Sequence, residues 1–225
     1  MILLGPPGVG KGTQGVLLAE GMGWRHVATG DLLRAHRREG TELGRKAQAY
    51  MDRGELVPDL LIIDMVRHVL GSLDPATGVV FDGFPRTVPQ AEALGGVLAE
   101  SSQRVSRVVV LEADDELIVR RLAGRRSCPR CGAVYNVHFG PPAEEGRCDR
   151  CGSELVHRED DRLETVRRRL AVYREETEPL VRFYEDSQAE VVRVAGDRSV
   201  EEVQEDVRAA VVATGLESGP REIGA

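Results

Sequence analysis

Short apolar runs alternate with amphipathic stretches along most of the chain. The first run, "MILLG", ends in glycine and suits a buried strand. The same signature returns in "HVATG", "GVVFDG", "VSRVVVLEA" and "AEVVRVAG". Between these runs the apolar positions take helical spacing in "TQGVLLAEGM", "PQAEALGGVLAE" and "SVEEVQEDVRAAVVA". From Asp31 to Asp74 the pattern is helical, with breaks at Gly40, Gly54 and Pro58. "DDELIVRRLAGRR" reads as a helix opened by acidic residues, and its Arg121 and Arg125, four apart, would share one face. A further long helix begins near Asp161, where Asp161 and Glu164 are spaced as a capping box and Leu163, Val166, Leu170 and Tyr173 line one side. Strands alternating with helices predict an α/β fold with a parallel sheet. There is no internal repeat and no low-complexity segment. The tail "GLESGPREIGA" is expected to be frayed.

The chain has 225 residues, long enough for one large domain with insertions. A hydrophobic content of 41% with 30% charged residues fits a soluble globular protein. The absence of a long uncharged apolar window or a basic leader predicts a cytoplasmic protein with no membrane association, in a compartment that disfavours disulfides. The net charge of −7 argues against a non-specific nucleic-acid binder, so an anionic ligand must meet locally concentrated positive charge. Lys11 and Lys46 are the only lysines among 30 basic residues, which makes Lys11 conspicuous where it stands.

Lys11 lies in "GPPGVGKGT", Gly5 to Thr13, between a predicted strand and a predicted helix. The GxxxxGK spacing is that of a phosphate-binding loop. Glycines let successive N–H groups face one anion, the helix adds its positive end, and a compact ammonium reaches the outer phosphates. Gly12 stands where Ser or Thr usually follows the lysine. The alternative reading is a glycine-rich turn without a ligand.

Five motifs in this order, "GPPGVGKGT", "ATGDLLR", "RGELVPD", "FDGFPRT" and "DDRLETVRRRL", make the chain resemble adenylate kinase from Met1 to about Ala210. The resemblance implies a phosphate-loop, three-layer α/β core with a five-stranded parallel sheet. It divides the chain into a core (1–27, 58–123 and 162–212), an AMP-binding helical region (28–57), a lid (124–161) and a flexible tail (213–225). It implies reversible, Mg²⁺-dependent phosphoryl transfer from ATP to AMP, giving two ADP, in a monomer. Gly8, Val9, Gly10, Lys11, Gly12 and Thr13 would cradle the ATP phosphates, with Arg125, Val134, Tyr135 and Arg198 also at ATP. Thr29, Arg34, Glu55, Leu56, Val57, Gly83, Phe84, Pro85, Arg86 and Gln90 would form the AMP site, where the Gln90 amide can pair with an adenine edge. Arg121 and Arg125 would face the transferring phosphates, and Arg158 and Arg169, counted with the AMP site, would clamp phosphates from the far side of the lid. Asp82, at a strand end, would orient Mg²⁺ through water. Phosphoryl transfer needs positioning and neutralisation more than a strong base, so the lack of a Ser/His/Asp set is consistent. Singly, Arg121 and Arg125 could be solvated helix charges, Asp82 a turn cap and Thr29 a helix cap. Another nucleoside monophosphate kinase, of GTP:AMP or UMP/CMP type, is the nearest alternative. A zinc-ribbon module binding nucleic acid or protein is the alternative from another class.

All four cysteines, Cys128, Cys131, Cys148 and Cys151, fall inside the expected lid as two CxxC pairs. That spacing suits one tetrahedral Zn²⁺ held by four thiolates, with iron as a substitute. Two disulfides or a redox pair are disfavoured by the reducing compartment and the paired spacing. A shell closed by four thiolates leaves no position for substrate, so its role is expected to be structural, and His138 and His157 read as ordinary polar residues.

Overall fold

The computed structural model describes residues 1–212, so the expected flexible tail, 213–225, lies outside the described residues. β1 (Ile2–Leu4) leads through the glycine loop to α1 (Lys11–Met22) and β2 (Arg25–Ala28). Three helices follow: α2 (Thr29–Arg38), α3 (Glu42–Arg53) and α4 (Asp59–Gly71). β3 (Val79–Asp82), α5 (Val88–Ala99), β4 (Arg107–Glu112) and α6 (Asp115–Gly124) restore the alternation. A hairpin of β5 (Arg125–Ser127) and β6 (Val134–Asn136) opens the cysteine segment. A 3₁₀ turn (Glu159–Asp161) enters α7 (Leu163–Val172), which continues through a π-helical turn (Tyr173–Thr177) into α8 (Pro179–Glu185). β7 (Glu190–Ala195) and α9 (Val200–Val212) complete the described chain.

The large sheet has five strands in the order β2-β3-β1-β4-β7, all parallel. Its central residues are apolar because helices cover both faces, while the charged residues of β2, β3, β4 and β7, such as Arg25, Asp82, Arg107, Glu112, Glu190 and Arg193, lie mostly at the strand ends. Side chains alternate between those faces. Ile2, Leu4, Phe81, Val108 and Val110 point into one core layer with Leu94 and Leu180, while Leu3, Val80, Val109 and Leu111 point into the other with Leu18 and Val207. β1 lies between β3 and β4, so the loop after β1 opens at the point where the strand order reverses. Ligand crevices form there, outside the carboxyl ends of the strands. Among the described residues no helix is long and apolar enough to cross a membrane.

Three local expectations are corrected. α6 ends at Gly124 and Arg125 is extended (φ −67°, ψ 135°), so Arg121 and Arg125 do not share a helix face. Asp161 is no capping residue: α7 is preceded by Arg162, and the Asp161 carboxylate is committed to arginines. On α7, Val166 and Leu170 are buried, but Leu163 is half exposed, because the 3₁₀ turn changes the chain direction just before it.

Gly40 and Gly54 do end helices, both with positive φ. Thr41 caps α3 by accepting from Gly44 N at 3.1 Å. Gly44 is buried against α2 so closely that an added Cβ would overlap the His36 carbonyl. Gly44→Ala should therefore prise α2 and α3 apart and cost about 1–3 kcal/mol, read as a lower urea midpoint at unchanged m value.

Candidate functional site

The glycine loop closes over the carboxyl end of β1. Gly5, Gly8 and Gly10 all have positive φ, and a Cβ at Gly8 would press into the Leu122 side chain at 2.7 Å. Glycine thus lets the loop turn and lets α6 approach it. α1 begins at Lys11, so the loop sits on its positive end. Lys11 Nζ donates to Gly5 O (2.6 Å) and Pro6 O (2.8 Å), which leaves one of its three N–H donors for a ligand. A side chain at position 12 would meet Asp82 Oδ2 at 3.3 Å. Glycine after the lysine therefore keeps the space beside that carboxylate open.

β2 and β3 end side by side, with Ala28 opposite Asp82. Thr29 is buried and donates its hydroxyl to Gly83 O at 2.7 Å, so it ties two loops together instead of capping α2. Arg86 Nε donates to the same carbonyl at 3.0 Å, and Thr177 Oγ1 donates to Arg86 O at 2.9 Å. Phe84 and Pro85, joined by a cis peptide bond, are buried beneath this turn. Above it lies a cleft of about 600 Å³ of empty, solvent-connected space. The expected Thr29, Arg34, Glu55, Leu56, Val57, Gly83, Arg86, Gln90 and Arg169 all line it. So do Leu33, Met51 and Ile62, apolar residues of α2, α3 and α4 that the sequence marked only as helix positions, together with Asp160.

The phosphate-binding loop and this cleft meet at a cluster of cations. Burial drives Lys11 down to about 8; Asp82 opposes that shift, while Arg86, Arg169 and Arg125 reinforce it. Arg86 is pushed down to about 10 by burial and then by Arg169. Arg158 falls to about 9 through burial, with Arg125 and Arg34 adding to it. Arg169 is likewise lowered, first by burial. For Asp82, burial acts upward, but the His26 ring, Lys11 and Arg86 outweigh it and hold the carboxyl below its ordinary value. Lys11, Arg34, Arg86, Arg125, Arg158 and Arg169 therefore share one electrostatic environment, most of it poorly solvated.

Asp161 organises the arginines. Its side chain is fully buried and takes a bidentate pair from Arg125 (2.7 Å and 2.5 Å) and a third bond from Arg169 Nη1 (3.1 Å). Asp160 pairs with Arg169 at 3.1 Å. Arg158 Nε donates to Ser127 Oγ at 2.7 Å. Arg121 is bound elsewhere: its Nη1 donates to Val9 O (3.1 Å) and Gly196 O (2.6 Å), tying the glycine loop to the turn after β7. Arg198, two residues beyond Gly196, is exposed and its side chain pairs with Asp206. Val134 is exposed on β6, and the Tyr135 hydroxyl lies 3.6 Å from Cys148 Sγ.

The four cysteine sulfurs lie within 4.8 Å of one another, in two cross-pairs at 3.4 Å (Cys128–Cys151) and 3.5 Å (Cys131–Cys148), and all four are free thiols. Sulfurs bonded to a tetrahedral Zn²⁺ stand ~3.8 Å apart, so the set fits such an ion, whereas disulfides are not formed. Cys128, Ala133, Cys148 and Leu155 form a small separate core against which Tyr135 packs.

Comparison with known proteins agrees with this geometry. A family model described as adenylate kinase matches residues 3–189. An adenylate kinase of Symbiobacterium thermophilum is 48% identical over 214 residues, covering 95% of this chain and 99% of that protein. One of a Geobacter species is 50% identical over 212 residues, 94% of this chain and 98% of that protein. One of Methanothrix thermoacetophila is 50% identical over 184 residues, 82% of this chain and 85% of that protein. With a phosphate-binding loop, a neighbouring cleft and the cations between them already in place, these likenesses settle the family: the chain belongs to the adenylate kinases, nucleoside monophosphate kinases that act as ATP:AMP phosphotransferases.

Proposed function

We propose that the chain carries out ATP:AMP transfer with the following division of labour. Gly8 to Thr13 hold the ATP phosphates through backbone N–H groups and Lys11. The cleft lined by Thr29, Arg34, Glu55 to Val57, Gly83 and Gln90 takes AMP, and Arg86 holds its phosphate. Arg125, Arg158 and Arg169 bridge the two phosphate groups during transfer, and Arg121 braces the loop from behind while facing the transferring phosphates. Arg125, Val134 and Tyr135 contact ATP, and the backbone at Arg198 reaches its base. The observation that carries this reading is the continuity of positive charge from Lys11 at the glycine loop to Arg86 and Arg34 at the cleft. Two polyanions repel each other, and fixed cations between them offset that repulsion without having to reorganise. The acceptor phosphate is already ionised, so the site needs no general base.

The metal accompanying the nucleotide supplies charge neutralisation when bound. Asp82 suits holding Mg²⁺ through water, since it stays ionised and the glycine at position 12 leaves its Oδ2 approachable. The cysteine set would hold Zn²⁺, which stiffens segment 124–161 as a lid over ATP; residues 28–57 form the AMP-binding region, and the remaining described segments the core. In this reading the working unit is a cytoplasmic monomer acting on small nucleotides. The decisive assay couples each nucleoside monophosphate to ATP and to GTP as donors. Preferential use of ATP with AMP is expected, and preference for UMP, CMP or a GTP donor would reject the reading.

Three outcomes follow from these roles. Arg86→Ala should cut kcat/KM for AMP by ~10²-fold while leaving ATP affinity nearly unchanged; equal losses for both ligands would contradict the split. Nucleotide phosphates should return Lys11 to its charged form, so binding at pH 9 should take up protons that binding at pH 7 does not. The lowered value near 8 also means that the folded state disfavours charged Lys11, a cost fully present below pH 8 and relieved as pH rises towards the unfolded value of 10.5. Calorimetry in buffers of differing ionisation enthalpy reads the uptake. Verified metal removal should expose an early lid transition, since a structural zinc contributes an apparent ~10–16 kcal/mol in small modules. The sheet core should melt later, and a calorimetric trace unchanged by chelation would exclude the structural role.

A further inference from the structure

Gln90 lines the cleft, yet it is only 2% exposed and its amide is already engaged at both ends. Its Nε2 donates to Asp59 Oδ1 at 2.7 Å, and its Oε1 accepts from Arg86 N at 2.8 Å. Asp59 lies outside the cleft lining, in the first turn of α4. Its other oxygen, Oδ2, accepts from Thr87 Oγ1 at 3.0 Å, and Thr87 in turn caps α5 by accepting from Gln90 N at 3.3 Å. A carboxylate can only accept and a backbone N–H can only donate. Reversing the amide would set Oε1 against the Asp59 carboxylate and the NH₂ against the Arg86 N–H, two repulsions in a buried place. The amide therefore has one permitted orientation, with one N–H and one lone pair left over.

A 6-aminopurine offers a donor (N6–H) beside an acceptor (N1). A 6-oxopurine offers an acceptor (O6) beside a donor (N1–H). A free carboxamide serves either base by turning over, but a locked one serves only one of them. We propose that Asp59 is a specificity-determining positioning residue: by fixing the Gln90 amide from behind, it commits the monophosphate site to 6-aminopurines and excludes 6-oxopurines. This rests on reading the cleft as the AMP site.

The test compares kcat/KM for AMP and IMP at saturating ATP. Equal use of both by the wild-type enzyme would overturn the AMP reading itself, and this inference with it. Given wild-type preference for AMP, Asp59→Ala should lower the AMP/IMP ratio by about tenfold or more, the scale of one misdirected buried hydrogen bond. Thr87→Val removes the other Asp59 contact and the α5 cap but keeps the Gln90–Asp59 bond, so it should lower Tm and preserve the ratio. An unchanged ratio in Asp59→Ala, or an equal fall in Thr87→Val, overturns the inference and leaves the AMP reading standing. A measurement on the wild-type chain covers an Asp59→Ala protein that does not fold. The Gln90 side-chain NH₂ resonances, identified by their loss in Gln90→Met, should exchange slowly with solvent in the free enzyme; exchange at the rate of an exposed amide overturns the lock.

Discussion

Like charges held together in poorly solvated space are the constraint on which this structure turns. Lys11, Arg86 and Arg169 are all lowered, mainly by burial, and each is disfavoured further by other cations in the cleft. Such a cluster survives only if its members are pinned. The rigid carboxyl edge of the parallel sheet pins Arg86 and the glycine loop, and Asp161 and Asp160 pin Arg125 and Arg169. Asp82, Asp160 and Asp161 are too few to neutralise the group. The cleft thus carries a surplus of buried positive charge, which favours an anionic ligand.

The parts legible in the sequence are those whose cause is local. A GxxxxGK turn between strand and helix depends on residues a few places apart, as do the CxxC pairs and the apolar runs that became the five strands. The expected AMP-site residues also gather in one cleft, because they stand at the ends of β2 and β3 and on the helices between them. What stayed hidden depends on distant partners. Asp161 resembles a helix cap until Arg125, 36 residues away, folds back onto it. Asp59 looks like the start of a helix until Gln90, 31 residues on, donates to it. Helical spacing pairs Arg121 with Arg125, but Gly124 ends the helix between them and sends one to the glycine loop and the other to Asp161.

The molecule is held together by two unlike means. The sheet core uses two extensive apolar layers that alternate along each strand. Among the described residues the cysteine segment has a small core of Cys128, Ala133, Cys148 and Leu155, with Tyr135 and Cys151 against it. An apolar cluster that small cannot hold a segment by area alone. The four sulfurs gathered within 4.8 Å of one another lie at the centre of this small cluster, so a metal held there would add what apolar area alone does not supply.

The π-helical turn at Tyr173–Thr177 joins α7 and α8 into one rod, with Glu178 N bonded to Tyr173 O at 2.8 Å. Arg169 lies before this turn, and Thr177, whose hydroxyl meets the Arg86 carbonyl, lies at its end. The surplus residue of such a turn sets the angular phase between the two halves. Deleting it would rotate everything beyond by about 100°, swinging the Thr177 hydroxyl away from Arg86 while Arg169 stayed with Asp161. The widened turn thus acts as a phase shifter: it lets a single helix present Arg169 to Asp161 with one half and the Thr177 hydroxyl to the Arg86 carbonyl with the other.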